Sequence, residues 1–364
     1  MSGFWEKLKG YLPVTRRYLA DRLTEAATWP LEELLREVRD CRAELLVHDF
    51  EILNRQNFLV SELFDRKFDR AEIAGEMRDG LEKMSSLPEA GAIPVVFITD
   101  SGYLAPTRVA VTSLLRNRDP RTRYKVYVVA AGLTREEKES FGVFSSAVEV
   151  VDPGADSVFA GEVPDHPHVS GAALLKFHLP ELFPNERKML YLDSDMIVKG
   201  DLGELFRTEL ADAYAAVVPD ATAMLVERDH VALGLKRYFN SGMMLLNLEL
   251  MRRDGIAEKL VAAKKRHAYA SHFMDQDEFN YVFNDKVITV SPKYNCMYAN
   301  NIRLKASETA RCYGLAYREY LHCLYSPVIL HITNRDKPWD SPVSPHYLGY
   351  KIEELYFRAL AGEG

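Results

Sequence analysis

The segment Met189-Leu190-Tyr191-Leu192-Asp193-Ser194-Asp195-Met196-Ile197-Val198 decides how the rest of the chain is read. Its first four residues, mostly apolar, have the length and composition of a buried strand. That strand runs into two carboxylates, after which the apolar run resumes. In an extended segment Asp193 and Asp195 project to one side and Ser194 to the other. Two carboxylates held a few ångströms apart repel each other unless a cation lies between them. Hard divalent ions such as Mn²⁺ or Mg²⁺ take such oxygen ligands, usually with substrate phosphates completing the shell.

Spacing alone is not distinctive. With 53 acidic residues among 364, chance supplies about eight acid-x-acid triplets, and an isolated one reads as a solvated turn. The apolar strand in front of this pair puts it at the carboxyl end of a sheet, where open α/β folds bind their ligands.

Hydrophobic residues make up 47% of the chain and charged residues 27%, as in ordinary soluble globular proteins. The length suffices for one large domain with an appendage or for two domains. A net charge of −7 argues against a dedicated nucleic-acid binder, which is usually basic. Cys41, Cys296, Cys312 and Cys323 show no C-x-x-C spacing, so neither a zinc ribbon nor a disulfide framework is suggested. With no apolar run of membrane-spanning length and no signal-peptide core at the start, the expected setting is the reducing cytoplasm.

Residues 1 to about 30 mix Phe4, Trp5, Tyr11 and Tyr18 with Lys7, Lys9, Arg16, Arg17 and Arg22. Such a stretch suits either peripheral contact with an anionic membrane or a helix packed on the rest of the protein. After Pro30, apolar residues from Leu31 to Leu63 recur at broadly helical spacing. They predict one or two long amphipathic helices that dock on a partner, a second copy of the chain or its own domain. Leu87-Pro88-Glu89-Ala90-Gly91 reads as a linker.

From Ile93 onward, strands alternate with helices. Strands are expected at 94–99, 124–130, 148–151, 189–192, 215–218, 243–246, 287–290 and 328–330, with helices after Tyr103, from Thr134, over 172–183 and around 276–283. The expected fold is α/β: a mostly parallel central sheet flanked by helices, with a Rossmann-like nucleotide-binding half. Tyr347, Tyr350, Ile352, Leu355, Tyr356 and Leu360 suggest a final amphipathic helix that packs on the domain or touches a membrane. The expected division is a helical extension at 1–90, a catalytic domain at 91–340 and a tail at 341–364.

Six blocks carry a resemblance to a known family. They are Val96-Phe-Ile98-Thr-Asp100-Ser-Gly-Tyr103, Met189 to Asp195, Tyr238-Phe-Asn240-Ser241-Gly242-Met-Met-Leu-Leu-Asn247, Asp275-Gln276-Asp277-Glu-Phe-Asn280, Ser291-Pro-Lys-Tyr-Asn295 and His331-Ile-Thr-Asn334-Arg-Asp-Lys337-Pro-Trp339. In this order the chain resembles the retaining glycosyltransferases of family 8, among them bacterial lipopolysaccharide galactosyl- and glucosyltransferases, with a glycosyltransferase A-type fold. The resemblance implies a metal held by Asp193, Asp195 and His331 and a diphosphate paired with Lys337. It implies nucleotide contacts at Ile98, Asp100, Tyr103 and Ser194. It further implies sugar contacts at Lys176, Asp220, Asn240 and Ser241, with Asn240 and Ser241 at a turn, and places Asp275 and Gln276 at the reacting carbon. Lys176 stands where that family often has Arg and Asn334 where it has Gly, while Gly102 replaces a commoner Asn or Asp.

The implied reaction transfers glucose or galactose from UDP-glucose or UDP-galactose to a glycan acceptor hydroxyl, with retention. Front-face attack is preferred to a covalent intermediate, because no strong carboxylate nucleophile is evident unless Asp275 serves, and Gln276 is a poor nucleophile but a fair dipole for an oxocarbenium-like centre. A nucleotidyltransferase, or an inactive relative that binds partners through its helical extension, is the competing reading.

Overall fold

The computed structural model describes residues 69–153, 174–227, 234–267, 275–297, 304–333, 337–341 and 346–363, with Val231 and Ser344. The basic amino-terminal stretch, the long helices expected after Pro30, and Asn334 lie outside the described residues.

Seven strands form the central sheet: β1 (Ile93–Thr99), β2 (Tyr124–Ala130), β3 (Val148–Val151), β4 (Met189–Leu192), β6 (Ala215–Pro219), β7 (Phe239–Leu246) and β8 (Val287–Thr289). Their order is β3-β2-β1-β4-β7-β6-β8. Only β7 runs against the rest: its pairings with β4 and β6 are antiparallel, whereas all other neighbours are parallel. A short separate ribbon pairs β5 (Met196–Val198) with β9 (Ile329–His331) antiparallel. The sheet is the expected mostly parallel one.

Strand β1 shows why these sequences pair at the centre. All seven residues are buried, and successive side chains feed opposite faces. Val95 and Phe97 join one apolar cluster with Val128, Leu114, Phe144 and Phe357. Val96 and Ile98 join the other with Tyr127, Phe177, Tyr191 and Phe279. A strand covered on both faces has no use for alternating polar residues, hence the unbroken apolar run.

Three local expectations are corrected. The chain turns at Ser194 and Asp195 between β4 and β5, so the acidic pair is not part of an extended segment. Asn240 and Ser241 lie within β7, not at a turn. The helix expected over 172–183 is interrupted among its described residues: helical residues 174–175 lead into a 3₁₀ turn, Lys176–His178, and then a one-turn helix, Leu179–Leu182. Pro180 accounts for the break: lacking an N–H, it fits the first turn of a new helix but not the middle of a long one.

Two helices flank the sheet from the ends of the described chain. Arg70–Ser85, capped by Asp69, packs Ile73 and Ala74 against Leu355 and Ala359 of Tyr347–Ala361. Phe357 reaches Phe144 at 5.9 Å between ring centroids. Arg116 Nε donates to Glu353 Oε2 at 2.9 Å. Of the two destinations considered for the final helix, it takes the domain. No helix among the described residues is long and apolar enough to cross a membrane.

Because Phe357 is a buried core residue, Phe357→Ala should cost about 3–5 kcal/mol. Urea denaturation should show a lowered midpoint; an unchanged midpoint would mean that this helix is dispensable to the core.

Candidate active site

The turn after β4 is fixed from three sides. The Asp193 N–H donates to the Gly242 carbonyl of β7 at 2.8 Å. The Ser194 hydroxyl donates to the Ile98 carbonyl at 3.1 Å and receives the Thr107 hydroxyl at 2.8 Å. The buried Ser194 side chain and the Ile98 carbonyl thus tie the turn to β1. On the third side, Ile332 N–H donates to the Asp195 carbonyl at 2.9 Å, continuing the ribbon in which Met196 is opposite His331.

That ribbon delivers the imidazole. His331 Nε2 lies 3.1 Å from Asp195 Oδ1 and 3.8 Å from Asp193 Oδ2. Ligand atoms of Asp193, Asp195 and His331 all fall within 4.8 Å of one another. Gly242 makes the convergence possible: a Cβ there would lie 2.4 Å from His331 Cε1 and 2.7 Å from Asp193 Oδ2. Any side chain at 242 would occupy the space where the three groups meet.

Each acidic side chain divides its oxygens between a cation and the histidine side. Asp193 Oδ1 receives the Tyr191 hydroxyl at 2.6 Å and lies 3.0 Å from Lys176 Nζ. Lys176, 6% exposed, also donates to Asp275 Oδ2 at 2.9 Å and sits 4.8 Å from the Tyr191 ring centroid. Burial opposes its charge, but Asp193 and Asp275 together hold the ammonium well above its usual pKa. Lys337 Nζ donates to Asp195 Oδ2 at 2.7 Å and to the Ile332 carbonyl. Burial likewise disfavours the Asp195 carboxylate, yet His331 and Lys337 hold it below the usual range.

The neighbouring groups complete a polar wall. Ser241 Oγ donates to Asp275 Oδ2 at 2.9 Å. Asn240 Nδ2 donates to Gln276 Oε1 at 2.9 Å, and Gln276 Nε2 to Asp220 Oδ2 at 3.3 Å. Burial pushes the Asp220 carboxyl above its usual pKa. Asp100, at the end of β1, caps the following 3₁₀ turn by accepting from Tyr103 N–H at 3.0 Å. Tyr103 is 41% exposed and meets the Trp339 ring edge-on at 5.9 Å. Burial, with Asp195, Asp193 and Asp100 nearby, pushes its phenol up to about 12.

Two participants escaped the sequence reading. Tyr191 looked like a core residue of an apolar strand, although alternation places it on the Asp193 side. Asn295 closes the block Ser291 to Asn295, to which no role was attached, and its Oδ1 lies 2.9 Å from His331 Nδ1.

A mixed seven-stranded sheet with one reversed strand, flanked by helices and carrying an acidic turn at the end of β4, defines a glycosyltransferase A-type protein. The chain belongs to glycosyl transferase family 8, whose profile matches residues 94–342. It is 26% identical over 274 residues to general stress protein A of Bacillus subtilis (strain 168), covering 70% of this chain and 93% of that one. It is 30% identical over 169 residues to the lipopolysaccharide 1,2-glucosyltransferase of Escherichia coli (strain K12), covering 45% and 48% respectively. The galactosyltransferase LgtC, solved with donor and acceptor sugar analogues, superposes with a TM-score of 0.62 at 25% identity, over 74% of this chain and 95% of that one.

Lys176→Met would leave the half-buried Asp193 and the buried Asp275 without their shared cation, at a cost of about 3–5 kcal/mol. Thermal unfolding in the absence of added metal should show a clearly lowered midpoint. Lys176→Arg, which keeps the charge, should retain most of the stability; equal losses in both variants would point to packing rather than charge.

Proposed function

We propose that this chain transfers glucose or galactose from a UDP-sugar to an acceptor hydroxyl of lipopolysaccharide or another surface glycan, with metal assistance and retention of configuration. The convergence of Asp193, Asp195 and His331 is the observation that carries the reading. Two carboxylates and an imidazole suit a divalent ion such as Mn²⁺, and an ion bound there would stabilise charge on the departing diphosphate. The likeness to a lipopolysaccharide glucosyltransferase and to a galactosyltransferase supports a hexose donor.

The chain's own residues take the remaining roles. Tyr103 offers a ring face for the base, and Asp100 accepts hydrogen bonds from ribose or uracil. Lys337 exchanges Asp195 for the diphosphate and neutralises the leaving group. Asn240, Ser241, Asp220 and Gln276 orient sugar hydroxyls. Asp275 is held by Lys176 and Ser241, and a carboxylate so stabilised is a weak nucleophile. That favours front-face attack, the leaving phosphate accepting the acceptor proton, over a covalent glycosyl-enzyme.

Calorimetric titration of UDP into the purified protein should give binding with Mn²⁺ present and none with EDTA. With UDP-glucose or UDP-galactose, the released product should be UDP; pyrophosphate would identify a nucleotidyltransferase instead. Asp195→Ala should lower turnover at least roughly a hundredfold. Near-wild-type activity of that variant would remove Asp195 from the mechanism.

A further inference from the structure

Asn295 is wholly buried, its neighbours Asn240, Gln276 and His331 are nearly so, and all four belong to one hydrogen-bonded chain. The direction of that chain is set by backbone donors, which cannot reverse. Gly242 N–H donates to Asn240 Oδ1 at 3.0 Å, and Ser241 N–H donates to Gln276 Oε1 at 3.2 Å. Each of these side-chain atoms must therefore be an oxygen. Asn240 Nδ2 then donates to Gln276 Oε1, leaving Gln276 Nε2 to face the Asp220 carboxylate, an obligate acceptor while ionised.

The same logic continues toward the histidine. Asn240 Oδ1 also faces the Asn295 amide at 2.9 Å. An oxygen of Asn295 there would set acceptor against acceptor in a dry site, so the group facing Asn240 is the Asn295 NH₂. The Asn295 oxygen consequently faces His331 Nδ1 at 2.9 Å. A carbonyl oxygen accepts only, so Nδ1 must be the protonated nitrogen.

We propose that Asn295 is a positioning residue that holds a proton of His331 on Nδ1, so that Nε2 is the ring nitrogen turned to the space shared with Asp193 and Asp195 and the one a metal there would take. Two backbone amides of β7 dictate the choice of ring nitrogen, relayed through Asn240 and Asn295. The consequence for metal affinity rests on the function proposed above; the orientation of the ring does not. Without Asn295, His331 is free to place its proton on Nε2 and donate it to Asp195 Oδ1, which removes the nitrogen from a metal's reach. The relay also gives the block from Ser291 to Asn295 a role: Ser291 accepts from Lys293 N–H and Asn295 N–H donates to the Pro292 carbonyl at 3.2 Å, the turn that aims the amide.

Long-range ¹H–¹⁵N spectra of the imidazole rings test the orientation in metal-free protein, with the His331 signals assigned by their absence in His331→Gln. The wild type should show a protonated Nδ1. An unprotonated Nδ1 would overturn the proposal without reference to any variant. In Asn295→Leu Nδ1 should lose its proton, whereas in Asn295→Asp, whose carboxylate still accepts from Nδ1, it should keep it; an unchanged ring in the Leu variant would also overturn the proposal. Titration with Mn²⁺ alone, followed by electron paramagnetic resonance, should show affinity about 10–100-fold weaker in Asn295→Leu. Wild-type protein that binds no Mn²⁺ but keeps the Nδ1 proton would sink the metal reading and leave the ring assignment standing.

Discussion

At the carboxyl end of β4, Asp193, Asp195 and Asp275 crowd into one corner of the sheet and would repel one another if left alone. Two ammonium groups answer that repulsion from opposite sides, Lys176 between Asp193 and Asp275, and Lys337 on Asp195. The two cations differ in kind. Lys176 is enclosed by carboxylates and the Tyr191 ring, so its charge belongs to the folded framework. Lys337 stands at the edge of the site beside Trp339 and has one carboxylate to release. A framework cation sets the geometry, and an edge cation can follow a ligand.

The fold had to satisfy this corner with an unusual strand. Were β7 parallel to β4, its beginning would lie at the opposite end of the sheet. Running antiparallel, it brings Asn240, Ser241 and Gly242 to the end where β1 and β4 finish. Those three residues serve the site in different ways: one as a relay of hydrogen bonds, one as a hydroxyl donor, and one by having no side chain at all.

The strands were legible in the sequence because strands buried on both faces are written as unbroken apolar runs, as in Ile93–Thr99 and Met189–Leu192. The α/β class followed from their alternation with helices. Directions and turns were harder. Nothing in Tyr238 to Leu246 announces an antiparallel strand, and Gly242 suggested a turn because glycine is used there more often than for clearance. A triplet of acid, serine and acid looks the same whether extended or turned, and its turn is fixed by contacts from Ile98, Thr107, Gly242 and Ile332 that are distant in sequence. Lys176 could be noticed as a departure from a family pattern, but its partners lie 17 and 99 positions away in the chain. Asn295 was visible as part of a motif, while its role depends on backbone N–H groups of a strand that the sequence does not place beside it.

The ring contacts at the rim have an optical consequence. Trp339 lies between Tyr103 and Tyr350, with the Lys337 ammonium 5.6 Å from its ring centroid. Indole emission responds to nearby charge, and the only other tryptophans are Trp5 and Trp29, far away in sequence. With those two replaced by phenylalanine, the remaining indole becomes an intrinsic fluorophore at the edge of the acidic corner. If Lys337 leaves Asp195 for a diphosphate, as proposed above, the emission would follow that exchange in real time without a chemical label.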